Sequence, residues 1–185
     1  MGGFNTAELA NVLNALHSLA VVFSGILGVW LFIQCTKRIL WASQMGGMSS
    51  MGSKSFTSEA FNYFMGSMIA INAAWFISSF GSEILNTGKE YSWVPVQDNH
   101  STSLEFVGIF MISVFKLIGY FMIVISGNKI SKIGENGVTG SSVFWQLIIG
   151  ALCTQFEWVN LAIQELTPFN PLGFVMPGSS VITIN

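Results

Sequence analysis

Charged residues are scarce in this chain. Only 9% of its 185 residues are Asp, Glu, Lys or Arg, whereas 51% are hydrophobic. An ordinary soluble domain carries about 25% charged residues, so 7 Lys and Arg with 9 Asp and Glu are too few to cover a globule of 20.2 kDa with polar groups. The net charge of -2 gives no support to a soluble nucleic-acid-binding protein. The composition therefore predicts an integral membrane protein.

Residues that carry catalytic or metal chemistry are also few. The two cysteines, Cys35 and Cys153, lie in different apolar segments at different expected depths, so we predict no disulfide. These cysteines and the two histidines lack the spacing of a metal site. The chain has no Ser/His/Asp order, no phosphate-binding glycine loop and no paired-carboxylate motif. The sequence therefore predicts no catalytic residue, no metal and no cofactor other than bound phospholipid, and a protein that is not an enzyme.

Four long apolar runs dominate the chain instead. They cover residues 12–40, 60–85, 104–126 and 143–166. About 20 apolar residues in a helix cross the ~30 Å hydrocarbon core of a bilayer. We therefore predict an all-α integral membrane protein with a single membrane domain over residues 1–185, built of four hydrophobic helices arranged as two helical hairpins in tandem. Three prolines predict an irregular tail over residues 167–185.

The segments between the runs differ in polarity and charge. Residues 45–55 are rich in Gly, Ser and Met and predict a flexible connector, and the polar residues 86–102 predict a solvated loop. The basic residues concentrate at two of the three connections: Lys37 and Arg38 end the first run and Lys54 follows before the second, and Lys129 and Lys132 lie between the last two. Cytoplasmic loops of membrane proteins carry an excess of Lys and Arg. We therefore expect both basic connections to face the cytoplasm, and both termini and the polar loop to lie outside.

Two opposite charges, Lys116 and Glu157, lie inside the third and fourth runs. An ionised group at the bilayer centre costs about 2.5–3.5 kcal/mol on insertion scales, so each needs a partner or a cavity. Helical rise places Lys116 ~18 Å from the turn that joins the two runs, and Glu157 somewhat further. We predict an intramembrane charge pair, within or between subunits, and a proton or ion relay is the alternative interpretation.

Small residues at four-residue spacing predict where helices approach closely. These residues are Ser24 and Gly28 in the first run and Gly66 and Ala70 in the second.

The order of these segments resembles the IcmC/DotE family of type IVB secretion systems, whose counterparts in I-type plasmid conjugation include TraQ-like proteins. The matching features are a first span that ends in Lys37 and Arg38, a Met- and Ser-rich connector at residues 45–54, and a second hairpin whose turn holds Lys129, Lys132 and Gly134. The resemblance covers residues 12–166, and it carries over no catalytic residue. It implies a membrane-embedded part of a conjugation or effector-translocation machine.

A hydrophobic hairpin closed by a basic turn is also the plan of bacterial conjugative pilins, which are extracted from the inner membrane with phospholipid into a helical filament. We therefore expect a pilus or channel subunit that self-assembles with phospholipid. Five of its seven basic residues would face lipid phosphates or a lumen, where each cation is favoured by about 1 kcal/mol. These five are Lys37, Arg38, Lys54, Lys129 and Lys132. The alternative is an inner-membrane transporter or assembly factor that uses Lys116 and Glu157.

The expected partners follow from this interpretation. They are copies of the chain itself, membrane phospholipid, other secretion-system components and transported single-stranded DNA bound without sequence specificity. The expected location is the bacterial inner membrane and, after assembly, an extracellular filament.

Overall fold

The computed structural model describes residues 6–45, 53–84, 103–133, 137–156, 158–159 and 162–163. Its helices are α1 (Thr6–Met45), α2 (Ser53–Ile71), α3 (Ala73–Ser79), a π-helical turn (Phe80–Ile84), α4 (Ser103–Ile130) and α5 (Gly140–Thr154). Over the described ranges no strand occurs. The all-α prediction is confirmed there.

Two of these helices are long and apolar enough to cross a membrane. They are Ala7–Trp41 within α1 and Val107–Ile130 within α4. The outer face of α1 exposes large apolar side chains, among them Leu19, Val22 and Ile26. Exposure of apolar surface to water costs about 25 cal/mol per Å², whereas lipid covers such a surface. The chain is therefore membrane-associated.

The second apolar run is not one straight helix. Helix α2, which contains the start of this run, begins at Ser53. A bend of 81° separates the helical stretch Ser58–Ile71 from the next one, Ala73–Glu83. At the bend the Met68 carbonyl accepts two hydrogen bonds from Asn72. One comes from the side-chain amide at 3.2 Å, and the other comes from the backbone N–H at 3.0 Å. Asparagine side chains compete in this way with the helical hydrogen-bond ladder. The run reaches the length of a span only when the bent pair is counted as one.

The fourth run also differs from the single helix predicted over residues 143–166. Helix α5 begins earlier, where the Ser142 N–H donates to the Thr139 hydroxyl at 3.3 Å and so caps the helix. It ends at Thr154, whose hydroxyl donates to the Ala151 carbonyl at 2.7 Å, and Gln155 leaves the helical range with φ -104 and ψ 32. Its 15 residues span about 22 Å, less than a hydrocarbon core. Beyond the break at Gln155, the described residues 156, 158–159 and 162–163 are helical again, so the predicted run is interrupted at Gln155 and continues as helix in these residues.

Helices α1 and α2 lie side by side and run in opposite directions. Arg38 near the end of α1 pairs with Glu59 near the start of α2, and Ser24 earlier in α1 bonds to Ala70 near the end of α2. Helices α4 and α5 are antiparallel too, because Gly119 lies against Gly150 and Lys129 bonds to Gln146.

Helix α4 runs in the same direction as α1. The ring of His17 contacts the ring of Tyr120, and further along the two helices Leu31 and Gly127 both lie against Gly66. The C-terminal ends of α1 and α4 therefore lie at the same end of the bundle. We call this the basic end, because it holds Lys37, Arg38, Lys129 and Lys132.

The core is centred on α4, which contacts α1, α2, α3 and α5. Its buried residues Leu117, Tyr120, Ile123 and Val124 form one cluster with small and aliphatic residues of the other helices, including Ile77. Helix α4 is therefore the element around which the rest of the described chain packs.

Several predicted features lie outside the described residues. These are residues 46–52 of the connector, the polar loop, Gly134, Glu157 and the tail. Residues 53–55, predicted as the last part of the connector, form the first turn of α2, so Lys54 lies in a helix and not in a loop.

Candidate functional site

The contact between α1 and α2 contains the four small residues predicted from their spacing, Ser24, Gly28, Gly66 and Ala70. The Ser24 hydroxyl donates to the Ala70 carbonyl, and one turn further the Ser67 hydroxyl donates to the Gly28 carbonyl at 2.9 Å. A Cβ added at Gly28 would overlap the Ile71 side chain. Small residues and hydroxyl-to-backbone bonds therefore hold these two helices together.

Glycines also bring α4 into backbone contact with its neighbours. A Cβ at Gly127 would lie 2.8 Å from the Gly66 carbonyl oxygen, and one at Gly150 would lie 3.0 Å from the Gly119 carbonyl oxygen. Sequence reasoning missed Gly119, Gly127 and Gly150. The signal that could have found them was their position as small residues inside the third and fourth apolar runs or at the end of one, because small residues let helices approach closely.

Arg38 at the basic end is bound within the protein. Its guanidinium forms an ion pair with the Glu59 carboxylate, and its Cζ lies 5.4 Å from the centre of the Tyr63 ring. Nearby, the Cys35 thiol donates to the Ala60 carbonyl at 3.3 Å. Sequence reasoning missed Glu59 and Tyr63, although Glu59 lies just before the second apolar run, across the connector from Arg38. Arg38 therefore links α1 to α2.

Lys129 is bound within the protein as well. Its ammonium donates to the Gln146 side-chain oxygen at 2.7 Å, and the Gln146 amide donates to the Met122 carbonyl at 3.4 Å. Gln146 was missed, and the signal for it was an amide side chain inside an apolar run, since such a group needs a hydrogen-bond partner in a membrane. Lys129 therefore links α4 to α5.

Lys37 and Lys132 differ from these two cations. Both side chains are exposed. Within the part of the chain that the structure describes, neither ammonium has a hydrogen-bond or ion-pair partner. Lys37 borders an open concavity of about 450 Å³ whose other described lining residues are Arg38, Leu40, Trp41 and Gln44.

The cations of the basic end lie at different depths along the bundle. Gly28 of α1 and Gly127 of α4 both lie near the level of Gly66 and Ser67 on α2. By helical rise Lys37 lies about 14 Å beyond Gly28, whereas Lys129 lies only about 3 Å beyond Gly127. Lys37 is therefore the further of the two from the middle of the bundle, and Lys129 lies closer to the apolar core.

Lys116 is half-buried within the apolar stretch of α4. The preceding residue, Phe115, stacks on Phe156 with ring centroids 4.6 Å apart and an interplanar angle of 12°. Glu157, which follows Phe156, lies outside the described residues. The structure thus brings together the neighbours in sequence of the two predicted charges, and the pair itself remains a prediction.

A second concavity of about 450 Å³ opens between the bent helix and α5. It is lined almost entirely by apolar side chains, among them Trp75, Phe80, Phe144 and Ile148. Among the described residues, no group of three or more His, Cys, Asp or Glu is placed to hold a metal ion. Cys35 and Cys153 are free thiols.

Comparisons of the chain with protein-family models, with curated proteins and with solved structures found no match. Function is therefore inferred from the residues of this chain alone. They offer two long apolar helices, glycine-mediated helix contacts and one basic end.

Proposed function

We propose that this chain is a structural membrane subunit of a bacterial conjugation or type IVB secretion apparatus, and that it is not an enzyme. In this proposal it assembles with copies of itself and with phospholipid into a pilus or channel. One observation carries the proposal: Lys37, Arg38, Lys129 and Lys132 share one end of two long apolar helices. Cations grouped in this way suit an anionic headgroup layer, which favours each by about 1 kcal/mol.

In this proposal the chain forms four hydrophobic helices, which are arranged as two hairpins in tandem. Helices α1 and the bent pair α2–α3 form the first hairpin, and α4 and α5 with its following residues form the second. The antiparallel contacts of α1 with α2 and of α4 with α5 support this arrangement. The basic end then faces the cytoplasm while the subunit is in the inner membrane, and the lumen of a filament after assembly.

The surface of α1 supports assembly with other subunits. Helix α1 buries only 22% of its most apolar stretch inside the chain, against 44% for α4. The remaining apolar face needs lipid in the membrane, and it offers a contact to a second copy when lipid is withdrawn. Other secretion-system components and transported single-stranded DNA are the further partners that this proposal implies.

The test is to replace Lys37, Arg38, Lys129 and Lys132 together by glutamine in donor cells. We expect membrane insertion to persist, because the apolar helices are unchanged, and DNA transfer and filament formation to be lost. Single substitutions should do less, since each cation contributes only about 1 kcal/mol. The matched control exchanges Lys for Arg and Arg for Lys at the same positions, which retains every charge.

The readouts are transfer frequency, electron microscopy of sheared material, and the ratio of phospholipid to protein in purified assemblies. The proposal requires a fixed ratio and filaments that contain this chain. A glutamine variant that transfers DNA at the normal rate would remove its main physical support.

A second candidate function is an inner-membrane transporter or assembly factor. It is favoured by the 81° bend at Asn72, the π-helical turn that follows, and the half-buried Lys116 in α4. Broken helices and intramembrane charges line substrate or ion pathways in transporters. Substrate-dependent flux in liposomes, with a variable amount of annular lipid, would favour this candidate over the structural subunit.

A further inference from the structure

The cations of the basic end fall into two kinds. Arg38 is neutralised by Glu59 and lies over Tyr63, and Lys129 is bound to Gln146. The ammonium groups of Lys37 and Lys132 are exposed and have no partner among the described residues. Cations that already hold helices together gain less from a lipid phosphate than cations whose donors are unused. Lys37 and Lys132 are therefore the two cations of the basic end whose donors remain available to an external anion, and of these two it is Lys37 that lines the concavity described above.

Lys37 has surroundings that suit an amphiphile. Lys37, Trp41 and Gln44 are spaced by four and three residues, so they lie on one face of α1. They border the concavity of about 450 Å³, which Leu40 and Arg38 also line and whose wall is mostly apolar. Lysine supplies three N–H donors and glutamine two. An apolar wall with a cation and neutral donors at its edge matches a phosphate headgroup joined to a glycerol and acyl chains.

We infer that this concavity, which we call the Lys37 cleft, binds the phosphate of an anionic phospholipid. The Lys37 ammonium contacts the phosphate, and Leu40 and Trp41 contact the glycerol and the first methylene groups. The position of Lys37, about 14 Å beyond Gly28 by helical rise, suits a headgroup layer better than that of Lys129. Tryptophan also prefers this layer. The inference rests on the proposed function, because it names the residues that hold the phospholipid.

The test uses the full-length chain purified in a neutral detergent and analysed by native mass spectrometry. The probes are phosphatidylglycerol, which is anionic, and phosphatidylcholine, which is zwitterionic. The variants are Lys37→Gln, Lys37→Arg and Lys132→Gln. Lys132 is the matched control, because it is an exposed lysine at the same end that lies on the turn after α4. Lys37 is exposed too, so its substitution should not prevent folding.

We expect Lys37→Gln to weaken phosphatidylglycerol binding about fivefold, the factor that corresponds to ~1 kcal/mol for one cation at an anionic surface. Lys37→Arg should bind as the natural chain does, and Lys132→Gln should change binding by less than twofold. Phosphatidylcholine should bind more weakly than phosphatidylglycerol. Equal losses in Lys37→Gln and Lys132→Gln would overturn the inference, because they would indicate attraction to the basic end as a whole.

Inorganic phosphate separates a lipid site from a site for the free anion. We expect millimolar phosphate to leave phosphatidylglycerol bound, because the acyl chains contribute to lipid binding. Complete displacement by phosphate would overturn the lipid assignment.

Failure of the cleft and failure of the proposed function give different results. If Lys37→Gln retains phosphatidylglycerol while the quadruple glutamine variant loses DNA transfer, the cleft is wrong and the proposed function stands. If Lys37→Gln loses phosphatidylglycerol while the quadruple variant transfers DNA normally, the cleft stands and the proposed function fails.

Discussion

The main chain of Gly66 on α2 lies directly against the main chain of Gly127 on α4, so that a Cβ at Gly127 would come within 2.8 Å of the Gly66 carbonyl oxygen. This contact joins the α1–α2 pair to α4. It tolerates no side chain on either residue without a shift of the backbone, because interiors at native packing density have no room for an added methyl group.

We therefore expect Gly127→Ala to destabilise the protein by about 1–3 kcal/mol, the usual cost of overpacking. The matched control is Gly25→Ala on α1, where no atom lies within 4 Å of the added Cβ. That substitution should be neutral or slightly stabilising, because alanine favours helix over glycine by up to ~1 kcal/mol. Thermal unfolding in detergent measures both variants. If Gly127→Ala has the same melting temperature as the natural chain, α2 and α4 do not meet at these glycines.

The hydroxyl bonds between α1 and α2 allow a finer test. Removal of the Ser67 hydroxyl in Ser67→Ala deletes its bond to the Gly28 carbonyl. Hydrogen bonds between membrane helices contribute about 0.6 kcal/mol on average and up to about 1.7 kcal/mol. Ser67→Ala should therefore lower stability by an amount in this range, and Ser24→Ala should act similarly.

The control for the hydroxyl bonds is Ser18→Ala, because the exposed Ser18 hydroxyl donates to Asn14 within its own helix. Its loss should change the free energy of unfolding by less than that of Ser67→Ala. The same destabilisation in both variants would mean that serine in these helices acts locally and does not join α1 to α2.

Much of the fold could be predicted because apolar length is a strong signal. The first and third runs became α1 and α4: α1 extends its run at both ends, and α4 begins one residue before its run and ends four residues after it. The bend at Asn72 could not be predicted from composition, because a single asparagine inside an apolar run is compatible with a straight helix. It depends on the side-chain bond to Met68 and on the packing of α3 against α4.

The site was predictable only in part, for a similar reason. Charge spacing identified Lys37, Arg38, Lys129 and Lys132, but it could not tell which cations the protein itself binds. That distinction depends on Glu59 and Gln146, whose partners lie on other helices. Tertiary contacts, which a periodic pattern does not encode, therefore decide which cations the protein itself binds.

The intramembrane charges give a third prediction. Phe115 stacks on Phe156, so the chain segments that carry Lys116 and Glu157 lie close together. Removal of one partner of a buried ion pair costs about 3–5 kcal/mol, because the other charge is stranded. We expect Lys116→Met to reduce assembly and thermal stability, and an exchange of the two charges to recover part of the loss.

The control for the charge pair is Ile118→Met, which introduces the same side chain at an exposed position of α4. It should leave stability within about 0.5 kcal/mol of the natural chain. If Lys116→Met is as stable as this control, Lys116 and Glu157 do not form a pair that matters.

The last prediction concerns orientation, and it follows from the length of α1. Glu8 and Ser43 are exposed near opposite ends of this helix, and 35 residues separate them, which corresponds to about 52 Å. A hydrocarbon core is ~30 Å thick, so a helix of this length that crosses the membrane places its two ends on opposite sides. The excess of cations predicts that the end with Ser43 faces the cytoplasm.

Single cysteines test this orientation in a chain in which Cys35 and Cys153 are replaced by serine. In cells with a permeabilised outer membrane, an impermeant maleimide should label Glu8→Cys and should not label Ser43→Cys or Lys132→Cys until the inner membrane is opened. Because α1 and α4 run in the same direction, Ser43→Cys and Lys132→Cys should always behave alike. If Ser43→Cys is labelled and Lys132→Cys is not, the ends of α1 and α4 lie on opposite sides of the membrane. That result would contradict the basic end itself. Labelling of both, with protection of Glu8→Cys, would keep the basic end and reverse its side, which would remove the cytoplasmic assignment and leave the helix packing intact.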